Sequence, residues 1–95
     1  MDLEGTLQAI DDPFWIRPIE VVVVHPGSFS EGCAALVLVR EQKTILVDLS
    51  QLDEDVSQRV VDFLAGGVFA LDGSSERAGD QVFLFAPESV SIQRD

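Results

Sequence analysis

The stretch from Arg59 to Ser74, RVVDFLAGGVFALDGS, is apolar almost throughout, yet two adjacent glycines, Gly66 and Gly67, sit in its middle. A glycine destabilises a helix interior by about 1 kcal/mol relative to alanine. The pair therefore either ends a helix or notches one that continues. Upstream, Asp53 suits an N-cap, and Glu54 and Asp55 suit the positive first turn. A helix from Asp53 to about Leu71 places Val56, Val60, Phe63, Leu64, Gly67 and Leu71 in one stripe at about 100° per residue. That stripe is expected on a sheet, with Gly67 turned toward the sheet and Gly66 turned away. The spacing holds across both glycines, which a helix ending at Gly66 would not require.

The far side of this helix is apolar too, with Val61, Ala65, Val68 and Phe69. A helix apolar on both sides is expected to be buried on both sides. One small sheet cannot cover both. Either residues 1–18 lie over the outer face, or a second copy packs helix on helix. In the second case Phe63, Gly66, Gly67 and Phe69 are the candidate assembly residues, with Gly66 permitting close approach.

The rest of the chain supplies the sheet. Val21 to Val24 form a run expected to be a strand buried on both faces, ended by Pro26 and Gly27. Ser28 and Glu31 have the spacing of a capping box. The segment 28–42 reads as a helix or, because Val37 and Val39 favour strands, as part of a hairpin. Thr44 to Leu49 is a second buried strand. Two βα units in succession predict parallel neighbouring strands. After Gly73 the pattern changes to strand, tight turn at Gly79 and Asp80, and strand, followed by a last short strand over 90–92. The predicted order is β-α-β-α-β-β-β.

The 95 residues suffice for one domain with one core, here 19–95, preceded by an acidic arm or linker over 1–18 in which Phe14 and Trp15 could tuck against the domain. The net charge of −11 repels phosphate backbones and anionic lipids, which argues against nucleic-acid binding and against direct membrane attachment by this chain. A single cysteine, Cys33, excludes an internal disulfide and fits a reducing cytoplasm. On an apolar helix it reads as core rather than as a nucleophile. His25, at a strand end, reads as a loop-capping residue. No phosphate-binding glycine motif, C-x-x-C or metal-ligand spacing is present, so no cofactor, no metal and no enzyme activity are expected.

Ser28-Phe29, ILVDLSQLDEDVSQRVVDFLAGGVFALDGS over 45–74 and VFLFAPESVSI over 82–92 together resemble the core of SepF, bacterial cell-division proteins that bind the C-terminal tail of the tubulin-like FtsZ. The resemblance covers about residues 19–92. It implies a two-layer α/β sandwich with two helices on one sheet, so that 28–42 is helical and the second helix continues through the glycines. It implies a homodimer and further assembly into rings or filaments. It implies a non-enzymatic adaptor at the division site, on the cytoplasmic face of the membrane, that aligns or tethers the division ring. The family's tail-docking positions fall on Arg77 and Phe83, where Arg77 is expected to pair with a tail carboxylate and Phe83 to offer an apolar anchor. Glu76 stands where the family usually has glutamine. Family members usually begin with a membrane-binding helix and a linker, which residues 1–18 do not resemble. A second reading, a small regulatory domain similar to STAS domains, rests on TILVDLSQLD and would use Ser50 as a phosphorylatable residue.

Overall fold

β-branched and large apolar side chains dictate where three of the four strands form, while the polar Ser74–Arg77 is a strand through its pairing with Val82–Ala86. In a computed structural model, described here for residues 20–90 and 92, the strands are β1 (Val21–Val24), β2 (Thr44–Asp48), β3 (Ser74–Arg77) and β4 (Val82–Ala86). They make one sheet in the order β1-β2-β4-β3. β1 and β2 are parallel, with Val21 opposite Thr44, as the first βα unit predicts. β4 inserts antiparallel between β2 and β3, so the second βα unit does not end in a strand beside β2. β3 and β4 form the expected hairpin, with Gly79 and Asp80 in its connection.

The helices lie on one face of this sheet, giving the predicted α/β sandwich. Segment 28–42 is helical but divided into α1 (Phe29–Ala34) and α2 (Leu36–Arg40). At the junction, the Ala35 N–H donates to the Gly32 carbonyl and the Leu38 N–H to the Ala35 carbonyl. These are i to i−3 bonds, which tighten the turn and redirect the chain. The Ser28 hydroxyl accepts from the Glu31 N–H at 3.1 Å, and the Glu31 carboxylate reaches back to the Gly27 N–H at 2.7 Å. The capping box therefore forms one residue wider than its usual pattern. The last short strand expected over 90–92 is not formed at Val90 or Ile92, where the chain is irregular. The observed order among the described residues is thus β-α-α-β-α-β-β. The arm, with Phe14 and Trp15, lies outside the described residues.

α3 (Glu54–Ala70) runs unbroken through Gly66 and Gly67, as expected. Asp53 caps it by accepting from the Val56 N–H at 2.9 Å. It stops at Asp72, whose φ of 61° is left-handed. There the Gly73 N–H donates to the Val68 carbonyl at 2.8 Å, and the Asp72 N–H to the Phe69 carbonyl at 3.0 Å. That pairing is the Schellman pattern of a helix end.

The core is Ile45, Val47 and Leu49 from the sheet side, Phe85 from β4, Ala35 and Val39 from the first helical segment, and Val60, Leu64 and Val68 from α3. The buried stripe of α3 is therefore rotated from the predicted one. Val68, expected on the far side, is buried, and Val61 and Ala65 pack against the core. Phe63 and Leu71, expected on the sheet, are exposed. Gly67 does not face the sheet either: a Cβ there would come within 2.5 Å of the Leu36 side chain on α2. Gly32 plays the same part on α1, where a Cβ would meet the Val60 side chain at 2.7 Å. Two glycines thus let α1 and α2 settle closely onto α3. Gly66 is turned outward, as predicted, with open space where its Cβ would be.

β1 departs from expectation as well. It is an edge strand with Val22 and Val24 against the core, while Val21 and Val23 point to the face without helices and are over half exposed. A valine run marks a strand, but only the sheet order fixes which of its faces is covered.

Candidate functional site

α3 carries a hollow on each flank. The first lies between its N-terminal half and the β3–β4 hairpin, a cleft of about 260 Å³. Leu49, Val61 and Phe83 supply apolar surface; Glu54, Ser57, Gln58, Arg77, Asp80 and Gln81 supply the polar remainder. Hydrogen bonds fix its walls. The Leu49 N–H donates to the Gln81 carbonyl at 2.8 Å, tying the hairpin to the end of β2. The Ser57 hydroxyl donates to the Leu49 carbonyl at 3.3 Å, tying α3 to the same point. Phe83 stacks against Phe85 with ring centroids 6.5 Å apart, so one edge of the cleft continues directly into the core.

The sequence-predicted pair, Arg77 and Phe83, meets in this cleft. They are directly opposite in the β3–β4 register, and the Arg77 guanidinium lies 5.6 Å from the centroid of the Phe83 ring. Arg77 is not a free cation, however. Its Nε donates to the Gly79 carbonyl at 3.0 Å and its Nη2 to the Asp80 carbonyl at 2.6 Å. The Asp80 carboxylate stands 3.6 Å away. Arg77 therefore clasps its own hairpin turn. From sequence, Glu54 reads only as a helix first-turn residue and Asp80 only as a turn residue, and Gln58 carries no signal; the turn is what brings Asp80 back toward Arg77.

The second hollow is an apolar groove of about 420 Å³ between α3 and α1/α2. Phe63, Gly67 and Ala70 line it from α3 and Leu71 from the C-cap of that helix, with Cys33, Leu36, Val37 and Arg40 opposite. Of the four predicted assembly residues, Phe63 and Gly67 line this groove. Gly66 and Phe69 do not. They lie on the outer face of α3, where Phe69 is 81% exposed. Burial pushes the Cys33 thiol above its ordinary pKa, with the Arg59 guanidinium opposing.

His25 lies near a different group, at the ends of β1 and β2. Its Nδ1 is 3.4 Å from the Asp48 carboxylate, a partner that the sequence did not reveal. Asp48 also accepts from the Ser50 N–H at 2.9 Å. Ser50 foremost, and His25 to a lesser extent, hold the Asp48 carboxyl below its ordinary pKa. Among the described residues, no group of histidine, cysteine and acidic side chains is arranged to hold a metal, and no helix is long and apolar enough to cross a membrane.

The family model for cell division protein SepF matches residues 21–92. The chain belongs to the SepF family. A cell division protein SepF of Synechococcus elongatus is 49% identical over 73 residues, covering 77% of this chain and 38% of the relative. One of Prochlorococcus marinus strain AS9601 is 47% identical over 73 residues, with the same coverage. The chain thus spans less than two fifths of the length of these curated relatives. SepF-like proteins of known structure share the fold. That of Archaeoglobus fulgidus superposes with a TM-score of 0.73 at 14% identity, covering 81% of this chain and 95% of the other. That of Pyrococcus furiosus gives 0.71 at 10% identity, covering 82% and 100%. Membership of this family of cell division proteins replaces the STAS-like family reading, which the antiparallel β3–β4 hairpin also fits poorly.

Proposed function

We propose that this chain is the adaptor core of a SepF protein, binding the FtsZ C-terminal tail in the cleft beside α3 and pairing with a second copy through its helix layer. The observation that carries the docking reading is the meeting of Arg77 and Phe83 over one small cleft with hydrogen-bonded walls. A short tail segment needs an apolar surface to bury against and a rigid polar edge to set its register. Phe83 is the first of these, and the clasped Arg77 builds the second. Ordering a disordered tail offsets about 2–5 kcal/mol of the gross interaction energy. Affinity for one tail is accordingly modest, and two clefts on a dimer raise avidity.

The assembly reading is supported by the exposed apolar groove. Phe63 at 45%, Val37 at 40% and Leu71 at 38% exposure are large apolar groups left on the helix side of a chain with net charge −11. In a dimer they would be covered. Localisation at the division site on the cytoplasmic side of the membrane, and action without catalysis, follow from the same reading.

Titration of an FtsZ tail peptide onto the purified chain tests the docking site. Phe83→Ala is expected to weaken binding by about 2 kcal/mol or more, the range of a central apolar anchor, and Arg77→Glu is expected to weaken it by opening the hairpin clasp. Unchanged affinity in both variants would overturn the site.

A further inference from the structure

The charges around the cleft point to a ligand group opposite in sign to the one a lone arginine suggests. Glu54 and Asp80 both line it, against Arg77 as its one basic residue. Arg77 already spends Nε and Nη2 on the Gly79 and Asp80 carbonyls, has the Asp80 carboxylate at 3.6 Å, and lies against the Phe83 ring. The Asp80 side chain itself is fully exposed to solvent. An incoming anion would have to displace or outcompete that carboxylate and would meet Glu54 as well. The whole chain carries a charge of −11, which reinforces the local sign.

We infer that Glu54 and Asp80 are specificity-determining residues of the cleft, selecting a docked peptide that presents a basic side chain next to the apolar one seated against Phe83. Arg77 is a positioning residue in this arrangement. It holds the Gly79–Asp80 turn at the rim of the cleft, and it does not receive a ligand carboxylate. Gln58, whose Nε2 donates to Asp62 at 2.9 Å, keeps its amide turned along the helix and leaves the charged contacts to Glu54 and Asp80. This rests on the reading of the cleft as the FtsZ-tail site.

The test uses the whole chain and three synthetic FtsZ tail peptides that differ only in the residue following the apolar segment: lysine, glutamine or glutamate. Lysine is expected to bind most tightly and glutamate least. Each exposed ion pair contributes about two- to five-fold, and the spread should narrow with added salt. In the double variant Glu54→Gln/Asp80→Asn the three affinities should converge. Arg77→Lys keeps the charge but loses the forked clasp, so all three peptides should weaken together with their order preserved. Equal binding of the three, or preference for glutamate, with tail binding intact, overturns the charge assignment and leaves the docking site standing. Loss confined to the glutamate peptide in Arg77→Lys overturns the positioning role. Failure of all three peptides to bind the unmodified chain overturns the docking reading, and this inference with it.

Discussion

The two flanks of α3 solve opposite problems with one helix. At about 100° per residue, Glu54, Ser57, Gln58 and Val61 fall roughly 150° around the helix from Phe63, Gly67, Ala70 and Leu71, with the core stripe between them. The cleft flank is polar at its edge, and hydrogen bonds among Leu49, Ser57, Gln81 and the Arg77 clasp fix its shape. The groove flank is apolar, and close helix packing at Gly67 against Leu36 fixes its shape. A polar edge favours a short ligand whose charges must match. An apolar groove favours a large surface of the kind that a second copy provides. On the proposed function, recognition and assembly should be separable by mutation.

The largest effect that would break this division is expected at Gly32, within the helix layer. A Cβ there would lie 2.7 and 2.8 Å from the two methyls of buried Val60, which cannot both turn aside, so Gly32→Ala should overpack the contact between α1 and α3. A loss of about 1–3 kcal/mol by chemical denaturation is expected, with tail affinity of the folded fraction unchanged. Phe63→Asp comes next. Nearly half exposed, Phe63 contributes less to the fold than to the groove. The variant should sediment as a smaller species than the unmodified chain and still bind tail peptide; undiminished assembly would remove the groove from the interface. Gly66→Ala sharpens the contrast with its neighbour. With open space around its Cβ, the change should stabilise α3 by up to about 1 kcal/mol through helix propensity alone. At Gly67 the same gain is set against displacement of the Leu36 side chain, whose flexible end can move into the groove, so Gly67→Ala should gain less than Gly66→Ala.

The smallest effect lies away from both flanks. The folded-state pKa of Asp48 is depressed, so its interactions with Ser50 and His25 contribute stability above the ordinary carboxylate pKa. That contribution fades as pH falls through the folded-state value. The stability difference between the unmodified chain and Asp48→Asn, followed by thermal unfolding across acidic pH, should shrink on acidification. A constant difference would remove the carboxylate as its cause.

Much of this arrangement was legible before any coordinates. Apolar runs marked β1, β2 and β4, and Gly79-Asp80 marked the hairpin. The periodicity of α3 carried it through Gly66 and Gly67, while its end fell at Asp72, a non-glycine residue in left-handed geometry. The rotation of α3 was hidden because it is apolar around most of its circumference. A hydrophobic stripe locates the core only where a polar face opposes it. β1 was misjudged for a related reason: four valines carry no alternation to show which side lacks a helix. The state of Arg77 was hidden most deeply. Two of its partners are the backbone carbonyls of Gly79 and Asp80, and residue type does not disclose where a carbonyl points.

The most direct measurement is an NMR titration of the isotopically labelled chain with unlabelled FtsZ tail peptide, read at the backbone amides. The account predicts saturable shifts concentrated at Glu54–Val61 and at Arg77–Phe83, with Phe63, Gly67 and Leu36 little changed. Shifts centred on Phe63, Gly67 and Leu36 instead, with the hairpin silent, would contradict it.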